Sequence, residues 1–151
     1  SSTKIRKALA EGEVAVAKDL MNHHYFITGK VISGKQLGRT IGFPTANLEI
    51  QENYKLIPAK GVYAVKVNYK ETLYDGMLNI GNRPTVSGTS KASIEVHIFD
   101  FEMDIYGQNI ELLFVKKLRE EKKYDNLEAL KKQLSQDKLD SLAVLKKCNF
   151  V

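Results

Sequence analysis

The spacing of hydrophobic residues changes twice along the chain and divides it into three regions. Residues 1–21 carry apolar side chains at helical intervals, and Gly12 separates two short helical runs. In residues 25–117, apolar and polar positions alternate with a period of two and turn residues separate the runs, which is typical of β-strands. In residues 124–147 the leucines return to helical spacing. The pattern predicts short N-terminal helices, an all-β unit and a C-terminal helical region.

Five strand-like runs occupy the central region: residues 25–33, 62–69, 74–80, 94–99 and 110–114. The second and third are separated by a short turn at residues 70–72, so we expect them to form a hairpin. In the fourth run Ile94, Val96 and Ile98 share one face, which places Glu95 on the opposite face. Antiparallel strands of this number can close on themselves and remove exposed edges. We therefore predict a mainly β fold, a closed antiparallel barrel of about six strands.

The C-terminal helical region carries two leucine stripes, formed by Leu127, Leu130 and Leu134 and by Leu139, Leu142 and Leu145. Asp137 lies between the stripes. An aspartate at a helix start accepts a hydrogen bond from a backbone N–H that has no partner within the helix. We therefore expect Asp137 to cap a second helical turn.

The composition is that of a single globular domain. Of the 151 residues, 43% are hydrophobic and 27% are charged, which differs from disordered and membrane-embedded chains. No run approaches the roughly 18 consecutive apolar residues that indicate a membrane-spanning helix. The single cysteine, Cys148, cannot form an intramolecular disulfide and suits a reducing compartment. We expect a soluble cytoplasmic domain with no membrane partner.

The net charge of +5 raises the question of nucleic-acid binding, but the excess is local. Residues 116–147 contain ten basic and six acidic residues, which gives +4 of the total. Acidic and basic residues alternate closely there, as on a solvated helix face. We therefore expect no nucleic-acid partner.

A glycine-rich loop at residues 34–47 is the first candidate for chemistry. Its glycines let the backbone approach a ligand, and Arg39 suits an anion such as a polyphosphate. Pro44 stiffens the segment that follows, where Thr45 and Asn47 offer oxygens two residues apart. Such oxygens can bind Mg²⁺ or phosphate. On composition alone, a structural glycine-rich turn remains the simpler interpretation.

Residues 29–35 also fit the first seven positions of a Walker A loop. The eighth position is Gln36, where a Ser or Thr would bind magnesium, and Gly38 and Gly42 disfavour the helix that should begin there. A P-loop is therefore excluded.

Residues 34–47, G-x-x-x-G-R-x-x-G-F-P-T-A-N, resemble the signature of the riboflavin kinase family. The resemblance covers about residues 25–137, and further family-like segments follow in order: residues 61–63, 79–85, 94–100, 106–107 and 118–124. It implies a Greek-key barrel of the riboflavin kinase type. It also implies that ATP phosphorylates the ribityl 5′-hydroxyl of riboflavin, giving FMN and ADP, with Mg²⁺ as cofactor.

The resemblance also implies roles for individual residues. Glu95 matches the catalytic base, although a surface glutamate is the simpler interpretation of its outward position. Thr45 and Asn47 match the ligands of magnesium and phosphate. The ATP-binding positions are Gly34, Arg39, Thr45, Asn47, Ile98, Asp100 and Tyr106. The flavin-binding positions are Arg119, Lys122 and Tyr124.

Residues 1–6, S-S-T-K-I-R, resemble the element that closes the adenylyltransferase domain of bacterial bifunctional FAD synthetases. We therefore expect residues 1–22 to be a helical remnant of that domain. The riboflavin kinase domain is expected at residues 23–151, with the barrel at 23–118 and the helical region at 124–147. On this hypothesis the chain is a monomeric fragment that cannot convert FMN to FAD.

Two alternatives stay open: a barrel that binds oligonucleotides and a flavin-binding protein that has lost catalysis. The intact Glu95, Thr45 and Asn47 argue against the second.

One departure from the family concerns the loop after residues 79–85, where many relatives continue into a bulky aromatic and this chain has Val86. This polar loop could act as a lid.

Overall fold

The computed structural model describes residues 2–32, 39, 41–50, 55–88 and 90–148. In this part of the chain, three helices accompany six strands. The helices are α1 (Ser2–Ala10), α2 (Val14–Met21) and α3 (Leu127–Lys146). The strands are β1 (Phe26–Ile32), β2 (Ala46–Ile50), β3 (Gly61–Tyr69), β4 (Thr72–Pro84), β5 (Ser90–Ile98) and β6 (Asn109–Arg119). None of these helices has both the length and the apolar character needed to cross a membrane.

The strands form one closed antiparallel barrel in the order β1–β2–β5–β4–β3–β6. This confirms the predicted fold class. Strand β2 is the one that the alternation does not reveal, because it has only five residues and its first two belong to the glycine-rich segment 34–47. It closes the barrel by pairing with both β1 and β5.

The predicted hairpin between β3 and β4 is also confirmed. Tyr69 pairs with Thr72, and the two residues between them, Lys70 and Glu71, have φ angles of 49° and 66°. A two-residue turn with two positive φ angles has the twist that neighbouring antiparallel strands require.

Alternate strand residues fill the barrel interior together with the N-terminal helices. Leu9 and Val14 are 2% and 0% exposed, and they belong to the same buried cluster as the inward side chains of the strands. The backbone N–H of Ala59 donates to the carbonyl of Leu9 at 3.0 Å. Gly12, with a φ angle of 78°, makes the turn between α1 and α2. The two helices therefore share the core of the barrel.

Helix α3 packs against the outer face of β3, β4 and β6. A second buried cluster lies there and contains Phe43, Ala64, Met77, Phe99, Val115 and Leu145. Because the outer face of β3 is covered as well, its first five residues are all buried. This wall of the barrel, with α3 against it, frames the cavity described below.

Asp137 does not cap a helical turn, so that prediction is wrong. Helix α3 is continuous through this position, and its N-cap is Asn126, whose side chain accepts from the backbone N–H of Ala129 at 2.8 Å. The two leucine stripes occur on one continuous helix. Asp137 lies in its middle and is 1% exposed.

Candidate active site

The strand register places one row of side chains across the outer face of the barrel. Asn47 on β2 pairs with Glu95 on β5, and Glu95 pairs with Asn79 on β4. The row continues through Val62 on β3 to Arg119 at the end of β6. Directly paired residues of antiparallel strands point to the same face, with Cβ atoms about 4.5–5.5 Å apart. Glu95 therefore lies between two amide side chains.

A cavity of about 410 Å³ lies beside this row, between the barrel wall and α3. It brings Glu95 and Thr45 together with all three predicted flavin-binding residues, Arg119, Lys122 and Tyr124. Its other lining residues include Phe43, Val62, Met77, Leu78, Asn79, His97, Leu130 and Leu134. Apolar walls with a few convergent polar groups are typical of small-molecule sites.

A second, smaller cavity of about 130 Å³ adjoins the first at Thr45, which lines both. Ile98 contributes to its wall although this side chain is only 7% exposed. The remaining wall is formed by Pro44, Ala46, Val96, Phe101, Met103 and Ile105. The residues after β5 have no strand or helix periodicity, so the sequence provides no signal for Phe101 or Met103.

Four of the predicted ATP-binding positions that the structure describes line neither cavity: Arg39, Asn47, Asp100 and Tyr106. Tyr106 is 66% exposed, and its backbone N–H donates to Asp104 Oδ1 at 3.0 Å. Asp100 is exposed and has a φ angle of 51°. Arg39 is exposed as well, and Gly34 lies outside the described residues. Their roles stay predictions.

His97 holds the chain just before Thr45. Its Nδ1 lies 2.6 Å from the carbonyl oxygen of Pro44, and because a carbonyl only accepts, Nδ1 donates. The imidazole ring packs edge-on against Phe43 and Phe99, with ring centres 5.4 and 5.5 Å apart. Burial lowers the pKa of His97, the hydrogen bond to Pro44 opposes this, and the charge of Lys138 lowers it further. The ring therefore fixes Pro44 to β5 in its neutral form at neutral pH.

Arg119 reaches the cavity from the end of β6 and pairs with Asp137 on α3. Its Nε and Nη2 donate to the two carboxylate oxygens at 2.9 and 2.7 Å. Hydrogen bonding to Asp137 raises the pKa of Arg119. The Arg119 Cζ and the Lys122 Nζ each lie 5.8 Å from the ring centre of Tyr124. The three predicted flavin-binding residues thus form one cluster.

Glu121 ties the segment after β6 to the barrel wall. The side-chain amide of Asn79 donates to Glu121 Oε2 at 3.3 Å. The carboxylate lies directly over Gly81, where a Cβ atom would collide with it. Neither Asn79 nor Glu121 is predicted from the sequence, because their contact spans 42 residues.

The oxygen donors of Thr45, Asn47 and Glu95 suit a hard cation. Thr45 lines both cavities and Glu95 lines the larger one. Asn47 is 8% exposed and lines neither cavity, but it pairs with Glu95 in the strand register. Within the described residues, no group of three or more His, Cys, Asp or Glu side chains could hold a metal ion. Mg²⁺ commonly takes only one or two protein ligands and completes its shell with phosphate and water. The residues present therefore fit the Mg²⁺ that the resemblance implies.

Comparisons with solved structures agree with the fold. A crystal structure from Streptococcus pneumoniae, described as a macrolide-efflux protein, superimposes with a TM-score of 0.89 at 38% identity and covers 93% of this chain and 46% of that one. Riboflavin kinase from Trypanosoma brucei superimposes with a TM-score of 0.56 at 23% identity, covering 81% of this chain and 80% of that one. The second likeness supports the fold alone.

Comparisons of sequence identify the family. The bifunctional riboflavin kinase/FMN adenylyltransferase of Escherichia coli (strain K12) is 45% identical over 140 residues, which cover 92% of this chain and 44% of that protein. The chain thus spans less than half the length of this relative. A model of the flavokinase family, described as riboflavin kinase, matches residues 21–145. Because this match covers most of the chain, the chain belongs to the riboflavin kinase family.

Proposed function

We propose that this chain transfers the γ-phosphoryl group of ATP to the ribityl 5′-hydroxyl of riboflavin, giving FMN and ADP. The observation that carries the proposal is the junction of the two cavities. Thr45 lines both of them, and Glu95 lines the larger one. Riboflavin in the larger cavity would direct its ribityl chain toward phosphates held beside the smaller one.

Glu95 is the group that accepts the proton of the attacking hydroxyl. As the new O–P bond forms, the hydroxyl proton passes to the Glu95 carboxylate and the bond to the leaving ADP oxygen breaks. Asn47 and Asn79 flank this residue on the neighbouring strands, which limits the directions open to its side chain. Its place on the wall of the larger cavity supports this role.

Thr45 and Asn47 are the residues that would hold Mg²⁺ and the phosphates. When bound with ATP, the ion neutralises charge on the phosphate oxygens during transfer. His97 holds the segment that carries Thr45 through its hydrogen bond to Pro44. The larger cavity has apolar lining residues, including Phe43 and Met77, which would help to exclude water from the reacting groups.

The test of this proposal is a direct product assay. The chain is incubated with riboflavin, ATP and Mg²⁺, and the flavins are separated by chromatography. We expect FMN, and we expect no FAD when FMN and ATP are supplied, because the family match concerns the kinase. Unchanged riboflavin would contradict the proposal.

A Glu95→Gln variant tests the catalytic base. General acid–base catalysis contributes about 10²- to 10⁴-fold to a rate, so we expect kcat to fall by about that factor. Riboflavin binding should remain close to that of the unmodified chain, because glutamine keeps the shape of the side chain. Glu49→Gln, at an exposed glutamate of β2, is the matched control. A Glu95→Gln variant with unchanged kcat would remove Glu95 from this role.

A further inference from the structure

Asp137 carries a carboxylate that is buried in the middle of α3, and two side chains, Arg119 and Gln133, donate hydrogen bonds to it. It is 1% exposed. Arg119 donates to both of its oxygens, and Gln133 Nε2 donates to Oδ1 at 2.8 Å. A charge removed from water is costly unless it is paired and hydrogen-bonded, and here both conditions hold. The partner side chain, Arg119, is the one that lines the larger cavity.

Each guanidinium nitrogen of Arg119 already has one acceptor within the protein, so three of its five N–H groups are used. Nε and Nη2 donate to Asp137, and Nη1 donates to the carbonyl of Glu120 at 3.0 Å. The fork of two parallel bonds fixes the plane of the guanidinium group. Its charge is balanced by a carboxylate in direct contact, so Arg119 is poorly suited to bind a second anion.

A fixed guanidinium plane is a stacking surface for a flat ring. Arg119 lines the cavity with its side chain 22% exposed, and Tyr124 lies beside it. The bond to Asp137 also joins the end of β6 to α3, the helix that supplies Leu130 and Leu134 to the lining of the same cavity. The same pair therefore fixes the orientation of the guanidinium group and ties this helix to the barrel.

We propose that Asp137 is a positioning residue for riboflavin: it holds Arg119 so that the guanidinium face, and not its charge, forms a wall for the flat flavin ring. The inference rests on the proposed function, since it takes riboflavin as the ligand of the larger cavity. It assigns Asp137, held in turn by Gln133, to the recognition of the ring system. ATP binding does not depend on it.

The experiment compares Asp137→Asn with the unmodified chain. Riboflavin affinity is measured by fluorescence titration, and KM values for riboflavin and ATP are measured separately. We expect riboflavin affinity to fall and its KM to rise by at least tenfold, while the KM for ATP stays within twofold. Asp140→Asn is the matched control, because Asp140 accepts from Gln136 at 2.9 Å with the same helical spacing but on the exposed side. It should change neither KM.

A second variant separates positioning from stability. In Arg119→Met/Asp137→Leu, both members of the buried pair are replaced by apolar side chains, an exchange that commonly preserves stability. We expect this variant to melt near the unmodified chain and still to bind riboflavin at least tenfold more weakly. If either folded variant binds riboflavin within twofold of the unmodified chain, the inference is wrong. Failure of the unmodified chain to bind riboflavin would instead contradict the proposed function itself.

Discussion

The hydrogen bond from His97 to Pro44 connects the barrel wall to the segment that carries Thr45, and His97→Phe tests its importance. Phenylalanine keeps a ring that can contact Phe43 and Phe99, which lie 5.4 and 5.5 Å from the imidazole. It removes only the donor that reaches the Pro44 carbonyl at 2.6 Å. The variant therefore isolates the hydrogen bond from the packing around it.

The expected magnitude follows from the value of one hydrogen bond. A net contribution of about 0.5–1.5 kcal/mol is typical, and 1.36 kcal/mol corresponds to a factor of ten in rate. If the contact serves to position Thr45, kcat/KM for ATP should fall by about 2- to 13-fold. The same energy lowers the melting temperature of a domain of this size by about 1–6 °C.

The assay measures initial rates of FMN formation at saturating riboflavin and varied ATP. His23→Phe is the matched control, because His23 Nδ1 also lies 3.0 Å from a backbone carbonyl, that of His24, but outside both cavities. The control should leave kcat/KM unchanged. A His97→Phe variant with normal kcat/KM for ATP, whatever its melting temperature, would refute the reasoning.

Two further predictions concern stability. Leu9→Ala should lower the free energy of unfolding by about 2–5 kcal/mol in chemical unfolding, because Leu9 is 2% exposed in the barrel core. Leu20→Ala, at a side chain that is 43% exposed, should lower it much less. Equal costs would contradict a shared core. Burial lowers the pKa of His24 and His97 below the ordinary value of 6.5. The unfolded state therefore binds protons more readily than the folded state. We expect the free energy of unfolding to be highest above pH 6.5 and to fall as the pH drops below that value. A His24→Gln/His97→Phe variant should lose less stability between pH 7.5 and 5.5, and an equal loss would contradict this assignment.

Much of the barrel is predictable from the sequence because alternation is a local property. Apolar residues two positions apart in the sequence lie on the same face of a strand, so the sequence alone shows which face is buried. The runs around Tyr63, Val96 and Leu112 identify buried strands in this way. Strand β2 is harder to predict because it has only five residues, two of which belong to the glycine-rich segment 34–47. The pairing that makes it part of a closed barrel is with β1 and β5, which lie far away in sequence.

The site was only partly predictable for the same reason. Glu95 is identifiable because its polar side chain alternates with Ile94 and Val96, and the family-like segments point to Thr45 and Arg119. The partners of these residues carry no local signal. The contact of Arg119 with Asp137 spans 18 residues, and that of His97 with Pro44 spans 53. Helical spacing around Asp137 suggests a cap as readily as a buried ion pair, which is why that prediction failed.

The sequence by itself determined the strand faces, the two short N-terminal helices and the segments that resemble riboflavin kinases, since each depends on residues close together in the chain. Only the tertiary structure decided that Glu95 and Arg119 lie in one row and share a cavity, because register between distant strands sets that distance. It also decided what surrounds Asp137. Packing of α3 on the barrel removes this carboxylate from water, and the same packing provides Arg119 as its partner.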